Sequence, residues 1–267
     1  MRKRLTIALI GALAVTVAAA ATAFGVGPAP DGNTQDATIT FKPKKLGKKK
    51  ATPVTLEVTT KTASVTDPNG KPVPAVEAIL DFDKNASIFA KGYPTCQASQ
   101  LENTSTEEGL RACRKAQIGS GNAAALLPSA KGVLTENLTV TAFNGVPQGG
   151  NPVVLLQAYG EAPVQTTQVL VGVVTRYNKE GYGPRLSVKI PLIANGQGSL
   201  VDFRVSVFKK FAYKGKQRSY VSSKCPNSKK LKGRAKFVYS DGQSLTPELV
   251  QRCAQKPEPK KKKRNRK

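Results

Sequence analysis

The chain has 267 residues, 42 Lys/Arg against 17 Asp/Glu, four Cys, no His and no Trp, and carries a formal charge of +25. Without an imidazole, Ser-His-Asp and Cys-His catalysis are excluded, and no His can complete a zinc ligand set. The charge favours anionic partners, though it speaks to encounter and solubility rather than to fold.

The first segment, MRKRLTIALIGALAVTVAAAATAFG, opens with three cations, continues through an Ala-rich apolar stretch and reaches the small-x-small site Ala21-Thr22-Ala23. That is the form of a secretory signal peptide over residues 1–23. Leu5 to Val26 is just long enough to span a bilayer as an uncleaved anchor, but the Ala-rich composition and the cleavage site favour removal. No Cys follows the apolar stretch, so lipoprotein processing is excluded, and no second apolar run predicts an integral span after cleavage. Residues 24–267 then suffice for one large β domain or two small ones.

Phe24 to Ala37 reads as a Gly/Pro/polar linker, and Phe41 to Lys50 packs six lysines around a Pro and a Gly. The latter predicts an approach to the first strand, or a lysine-protected edge strand. From Val54 the pattern has period two. Val54, Leu56 and Val58 alternate with polar residues, then Ala78, Leu80 and Phe82, then Leu138, Val140 and Ala142. Val169, Val171 and Val173 follow, then Leu186, Val188, Ile190 and Leu192, and Val201, Phe203, Val205 and Val207. Gly/Asn/Pro turns such as Asn178–Gly183 and Ala194–Gly198 separate these half-buried strands, about eight to eleven in all. One helix stands out, opened by the capping box Ser105 to Glu108 and stopped by Gly119. The expected fold is all-β: an antiparallel two-sheet β-sandwich over residues 38–255, with one short disulfide-tethered helix and disordered basic termini.

Cys96, Cys113, Cys225 and Cys253 are an even set in a chain expected to leave the cytosol, which reads as two disulfides. Three connectivities are open; sequence-local pairing, Cys96–Cys113 and Cys225–Cys253, is the expectation. Each bridge closes a loop worth about 3–4 kcal/mol in the chain-entropy account.

LDFDKNASI at Leu80 to Ile88, the Cys96–helix–Cys113 segment running into QIGSGNA at Gln117 to Ala123, FNG at Phe143 to Gly145 and YKGKQRSYVSSKC at Tyr213 to Cys225 carry a resemblance. In these segments, which span most of the mature chain, it resembles a family of uncharacterised exported proteins of high-GC Gram-positive (actinobacterial) bacteria. The resemblance implies an exported β-rich domain and supplies no activity and no site residues.

Several motifs invite chemistry and are better read as structure. Asp81 to Ser87 places oxygens at alternating positions like a calcium loop, but Ala86 and Gly92 stand where the EF-hand pattern needs Gly and Glu. Ile118-Gly119-Ser120-Gly121-Asn122 lacks the Lys-Ser/Thr of a phosphate loop and the third Gly of a dinucleotide site. A carboxylate-pair hydrolase needs no His, and Glu161, Glu180, Asp202 and Asp241 are available, but nothing marks two of them as partners.

Charge is the stronger signal. The first four residues contribute +3 and residues 256–267 a net +7, leaving +15 for the body. Lys209 to Lys236 holds eleven Lys/Arg and no acid, interleaved with Phe211, Tyr213 and Tyr220. Ala212 to Val221 reads as a hairpin turning at Lys214-Gly215-Lys216, which gathers Lys209, Lys210, Lys214, Lys216 and Arg218. The aromatics either stack on rings of a ligand or face the core; the core is the favoured reading. The tail adds Lys260, Lys261, Lys262, Lys263, Arg264, Arg266 and Lys267. It resembles a nuclear import signal, which export contradicts, and a wall-sorting tail, which lacks its apolar span.

The expectation is a secreted, non-catalytic protein without cofactor or metal, extracellular or envelope-associated. It holds an anionic cell-wall polymer or acidic lipid headgroups by charge, and nucleic acid only non-specifically. The alternatives are a carbohydrate- or ligand-binding module, and an exported hydrolase using carboxylates.

Overall fold

The computed structural model describes residues 23–24 (backbone alone), 32–67 and 70–257. The signal segment up to Thr22 and the tail cations Lys260–Lys263, Arg264, Arg266 and Lys267 lie outside the described residues.

Strands of three or more residues are β1 (Asn33–Lys42), β2 (Thr55–Ser64), β3 (Ala75–Asp83) and β4 (Ala86–Ile88). Then come β5 (Gln117–Ser129), β6 (Gly132–Gln148), β7 (Asn151–Gly160), β8 (Thr166–Arg176) and β9 (Tyr182–Lys189). The rest are β10 (Ser199–Val207), β11 (Lys210–Tyr213), β12 (Lys216–Ser219), β13 (Val221–Ser223), β14 (Lys230–Tyr239) and β15 (Glu248–Arg252). β1 begins at Asn33, inside a stretch whose composition reads as linker. Its small polar residues alternate with buried Ala37, Ile39 and Phe41.

The sandwich expectation is corrected. A single 13-stranded antiparallel sheet curls until its ends meet, giving a nearly closed barrel: its order is Ala23–Phe24, then β15-β14-β3-β9-β8-β7-β6-β5-β10-β2-β1, with Ser244–Leu245 paired to β14. At the seam between β1 and β15 the two-residue strand Ala23–Phe24 pairs with β15, and side chains close the rest. Gln251 Oε1 accepts from Phe41 N at 2.7 Å while its Nε2 donates to Phe41 O at 2.8 Å. Asn33 holds both backbone groups of Val73, and the Tyr239 hydroxyl donates to Gln35 Oε1. Just beyond, Ala254–Gln255 pairs in parallel with Lys45–Leu46. An amide side chain presents the same donor and acceptor as a peptide, so it satisfies an edge that a strand would otherwise pair.

Alternation specifies which face of each strand is buried, and one curled sheet meets that demand as well as two stacked ones. Irregularities interrupt the pairing at 117–119, 151–153, 182–185, 200–202 and 238–239. Bulges of this kind bend strands and strengthen twist, which drives closure. The one at 200–202 also shifts the phase of β10: Leu200, not Val201, joins Phe203, Val205 and Val207 inside the barrel.

The barrel interior is apolar, with Leu56, Val58, Phe82, Val140, Leu156, Val174 and Val205 in one core. Outside, α1 (Thr106–Cys113) and its flanking loops cover one wall. Ser105 caps the helix, accepting from Glu108 N at 3.2 Å while Ser105 N donates to Glu108 Oε2 at 2.8 Å. Cys113, Cys96 and Leu101 pack on the outward Phe143, Val153 and Leu155, against which Val169, Val171 and Val173 also rest. The β8 valines read as an inward face therefore point outward under this layer. Gln157 Nε2 pins the loop through Thr104 Oγ1 at 2.7 Å.

β13 pairs with Thr52–Pro53 on one side and β4 on the other, forming a small sheet that plugs one barrel end. Tyr220, just before it, is buried with its hydroxyl donating to Asn144 Oδ1 at 3.0 Å. The disulfides are Cys96–Cys113 and Cys225–Cys253, the sequence-local pairing. The first ties α1 to the barrel wall; the second ties the plug to the end of β15. No described cysteine is free, and two formed disulfides point to an oxidising compartment. Among the described residues no helix is long and apolar enough to cross a membrane.

Candidate functional site

The plugged end carries the five cations of the hairpin segment singled out in the sequence; the seven tail cations lie outside the described residues. β11 and β12 form the expected hairpin, Tyr213 opposite Lys216, with Lys214 and Gly215 at φ 50° and 69°. Two successive positive φ values make a turn that twists with its strands, and Gly at the second position suits it. Lys210, Lys214, Lys216 and Arg218 are exposed and Lys209 is half-buried. Among the described residues none of the five lies in an ion pair with an acid.

The interleaved aromatics turn inward, the favoured reading of the pattern. Tyr220 is buried, and Phe211 lies against Phe89 and Tyr93 with ring centroids 6.0 and 4.9 Å apart. Tyr213 meets Phe89 edge-on at 5.6 Å and covers Gly92, where a side chain would collide with the Tyr213 ring. Burial raises the pKa of the Tyr93 and Tyr220 hydroxyls. The cations sit on the outside of this cluster: Arg218 lies 5.3 Å above the Phe89 ring and Lys214 5.8 Å from that of Tyr213. Lys210 likewise lies 5.8 Å from the ring of Phe208, which is exposed.

Tertiary pairing brings further cations here that the sequence did not single out. Exposed Lys91 sits in the loop between Phe89 and Gly92. The lysine-rich stretch before Thr52 meets the same end, since Cys225 N donates to Gly47 O and Ser223 pairs with Thr52. The Ala254–Gln255 strand lies beside Lys45–Leu46, so the residues leading to the tail leave from this region. Only strand pairing between distant segments could have revealed this.

A second cluster lies on the outer wall. Asp81 on β3 stands opposite Arg185 on β9 and Arg234 on β14, a row across three adjacent strands. Its Oδ1 accepts from Arg185 Nε at 2.6 Å, and its Oδ2 from Arg185 Nη2 at 3.0 Å and Arg234 Nη2 at 2.8 Å. Tyr177 lies 3.6 Å beneath Arg185, and Glu180 takes the other face of Arg234 at 2.7 Å. Burial pushes the Asp81 carboxyl up, but its hydrogen bonds to the two guanidiniums and their charges outweigh this and hold it below the usual aspartate range.

This row accounts for the segment that resembled a calcium loop. Asp83 caps the following turn through Asn85 N at 2.8 Å and accepts from Lys232 N at 2.8 Å. The glycines of QIGSGNA are equally structural: a Cβ at Gly119 or Gly121 would strike the backbone of Ser206 or Arg204 on β10. Of the carboxylates weighed for hydrolysis, Glu180 pairs with Arg234, Asp202 lies 3.7 Å from Lys61, Asp241 accepts from Gln243 N, and Glu161 is exposed. Glu136, not singled out in the sequence, is a buried acid whose Oε2 accepts from Val164 N at 3.3 Å and whose Oε1 has no partner among the described residues.

The barrel interior holds an apolar cavity of about 100 Å³, lined among others by Leu56, Ala78, Leu170, Leu186, Leu200 and Phe203. No protein-family model, curated protein or solved structure matches the chain.

Proposed function

We propose that this is a secreted, non-catalytic protein whose plugged barrel end binds an anionic polymer of the cell envelope by charge. The observation that carries the reading is the β11–β12 hairpin: exposed Lys210, Lys214, Lys216 and Arg218 on one rigid ribbon, propped from below by Phe89, Phe211 and Tyr213. Cations carried on a paired ribbon gain more from a polyanion than those on an unpaired chain, because their backbone need not be ordered on binding. Lys91 and the lysines before Thr52 widen the surface, and the tail cations follow in sequence a few residues after the Ala254–Gln255 strand at this end. Tyr220 is buried and Phe211 and Tyr213 pack on Phe89 and Tyr93, so exposed cations outnumber the one exposed ring, Phe208, on this surface and favour charge as the means of recognition. The signal-like first segment and the two disulfides support export.

The test is the salt dependence of binding to fluorescein-labelled polyphosphate, read by anisotropy. The variant Lys210→Gln/Lys214→Gln/Lys216→Gln/Arg218→Gln should bind at least about tenfold more weakly at low salt, with a log K against log salt slope shallower by roughly three. An unchanged slope would sink the assignment of the hairpin as the contact surface.

A further inference from the structure

Charge alone does not choose among polyanions, because cations respond to the density of negative charge and not to the group that carries it. An uncharged contact on the same surface can choose, and Phe208 is placed to make one. Phe203, Val205 and Val207 of β10 line the barrel interior, so alternation sends the next residue to the outer face, where Phe208 is 44% exposed. Phe211, Tyr213 and Tyr220 are engaged with Phe89 and Tyr93. Among the described residues no aromatic ring lies against that of Phe208.

Its backbone is held on both sides. Phe208 N donates to Ile118 O at 2.9 Å, and the adjoining Lys209 O accepts from Tyr220 N at 2.7 Å. The ring is therefore fixed at the root of the β11–β12 ribbon, and contact with it costs little ordering. Cations approach it from two directions. Lys210 Nζ lies 5.8 Å from its centroid. Exposed Arg114 and Lys115 lead into Gln117 and Ile118, the strand to which Phe208 is bonded. An apolar ring face between positive groups matches a polymer whose repeat joins an anion to a sugar ring, since a pyranose presents C–H groups on its flat faces. A bilayer fits this place less well: the tip of the ribbon carries Lys214 and Lys216, and the ring at its root does not lead the molecule into lipid.

We propose that Phe208 stacks on the sugar rings of an anionic glycan while Lys210, Arg114, Lys115 and the hairpin cations hold its charges. This rests on the polyanion reading and adds to it the class of polymer. Charge supplies the attraction, and Phe208 selects a polyanion with rings over one without them.

Polygalacturonate and polyglutamate both carry a carboxylate on every repeat, and only the first has rings. With fluorescein-labelled forms of each, read by anisotropy at low salt, Phe208→Ala and Phe208→Leu should weaken polygalacturonate binding by about fivefold or more. Both should leave polyglutamate binding and the salt slope unchanged. Phe208→Tyr keeps a flat ring and should bind as the unaltered chain does. Equal weakening for both polymers, weakening for neither, or a Phe208→Leu variant that binds polygalacturonate like its parent would overturn the proposal. Should Phe208→Ala not fold, Phe208→Leu, which keeps apolar bulk, decides. If the same variants lose binding to oligo(dT), or to phosphatidylglycerol vesicles, and keep it to polygalacturonate, the ring serves bases or lipid and the glycan is rejected. The underlying reading fails by a different result: the four-fold Gln variant of the hairpin would then bind polyglutamate as tightly as the unaltered chain. An unaltered chain that binds neither polymer overturns both.

Discussion

Asp81 shows how a single residue sets part of the stability and its pH dependence. It is 2% exposed, and its two oxygens take four hydrogen bonds from Arg185 and Arg234. Asp81→Asn keeps the shape and leaves two guanidiniums facing a neutral amide, so it should cost ~2–4 kcal/mol at pH 7, read by denaturant unfolding. Because the folded pKa is depressed, the carboxylate's contribution is fully present above the unfolded value of about 3.9 and is lost as pH falls through the lower folded value. The gap between parent and variant should therefore hold from neutral pH to about 4 and close only below it. A gap that closes already between pH 7 and 5 would contradict this role.

Residue-scale features were legible where chemistry is local. The Ser105–Glu108 cap, the Lys214–Gly215 turn and the neighbouring cysteine pairs each depend on residues close in the chain. Asp81 was visible only as one ligand-like oxygen among several, because both of its partners are more than 100 residues away.

At the scale of elements, period-two alternation located β2, β3, β6, β9 and β10, since a strand with one wet face must alternate. It failed in two instructive ways. β8 is covered on both faces, by the core inside and by the α1 layer outside, so its outward valines looked like its core. In β10 the irregularity at 200–202 moved the inward position from Val201 to Leu200, and a bulge leaves no mark in a hydrophobic pattern. The first half of β1 was read as linker because its inward positions there are polar, Asn33 holding Val73 and Gln35 accepting from Tyr239, while Ala37, Ile39 and Phe41 enter the core.

Gln251 is the element-scale prediction. It substitutes for a missing strand partner at Phe41, and both are buried. Gln251→Ala would strand a buried N–H and a buried C=O, at a cost of about 2–4 kcal/mol in chemical denaturation. It should also speed amide exchange of β1 and β15 ahead of β6 and β7, because the seam would open first. A loss within about 0.5 kcal/mol, the range of ordinary surface changes, would mean that the parallel pairing of Ala254–Gln255 with Lys45–Leu46 closes the seam alone.

At the scale of the whole molecule, the sequence carried the β class and the positive charge, while the barrel and the distribution of that charge arose from topology. The hairpin, Lys91 and the lysines before Thr52 are far apart in sequence, and the β13 plug brings them to one end. The loops of the opposite end hold Val133, Leu134, Val164 and Leu192. Exposed Val146 and Phe208 stand at the cationic end, so apolar surface is present at both ends.

The central claim, that charge at the plugged end holds this protein to the envelope, is tested most directly by co-sedimentation with purified cell envelopes. Residues 24–267, the four-fold hairpin variant and residues 24–257 would be compared at low salt and at about 0.5 M, where the screening length falls to a few ångström. The account predicts that the unaltered chain pellets at low salt and is released at high salt. Each altered protein should pellet less, the hairpin variant losing the larger share because its cations ride on a paired backbone. If all three pellet equally, or if high salt releases none of them, the hairpin and the tail are not the anchor and the claim fails.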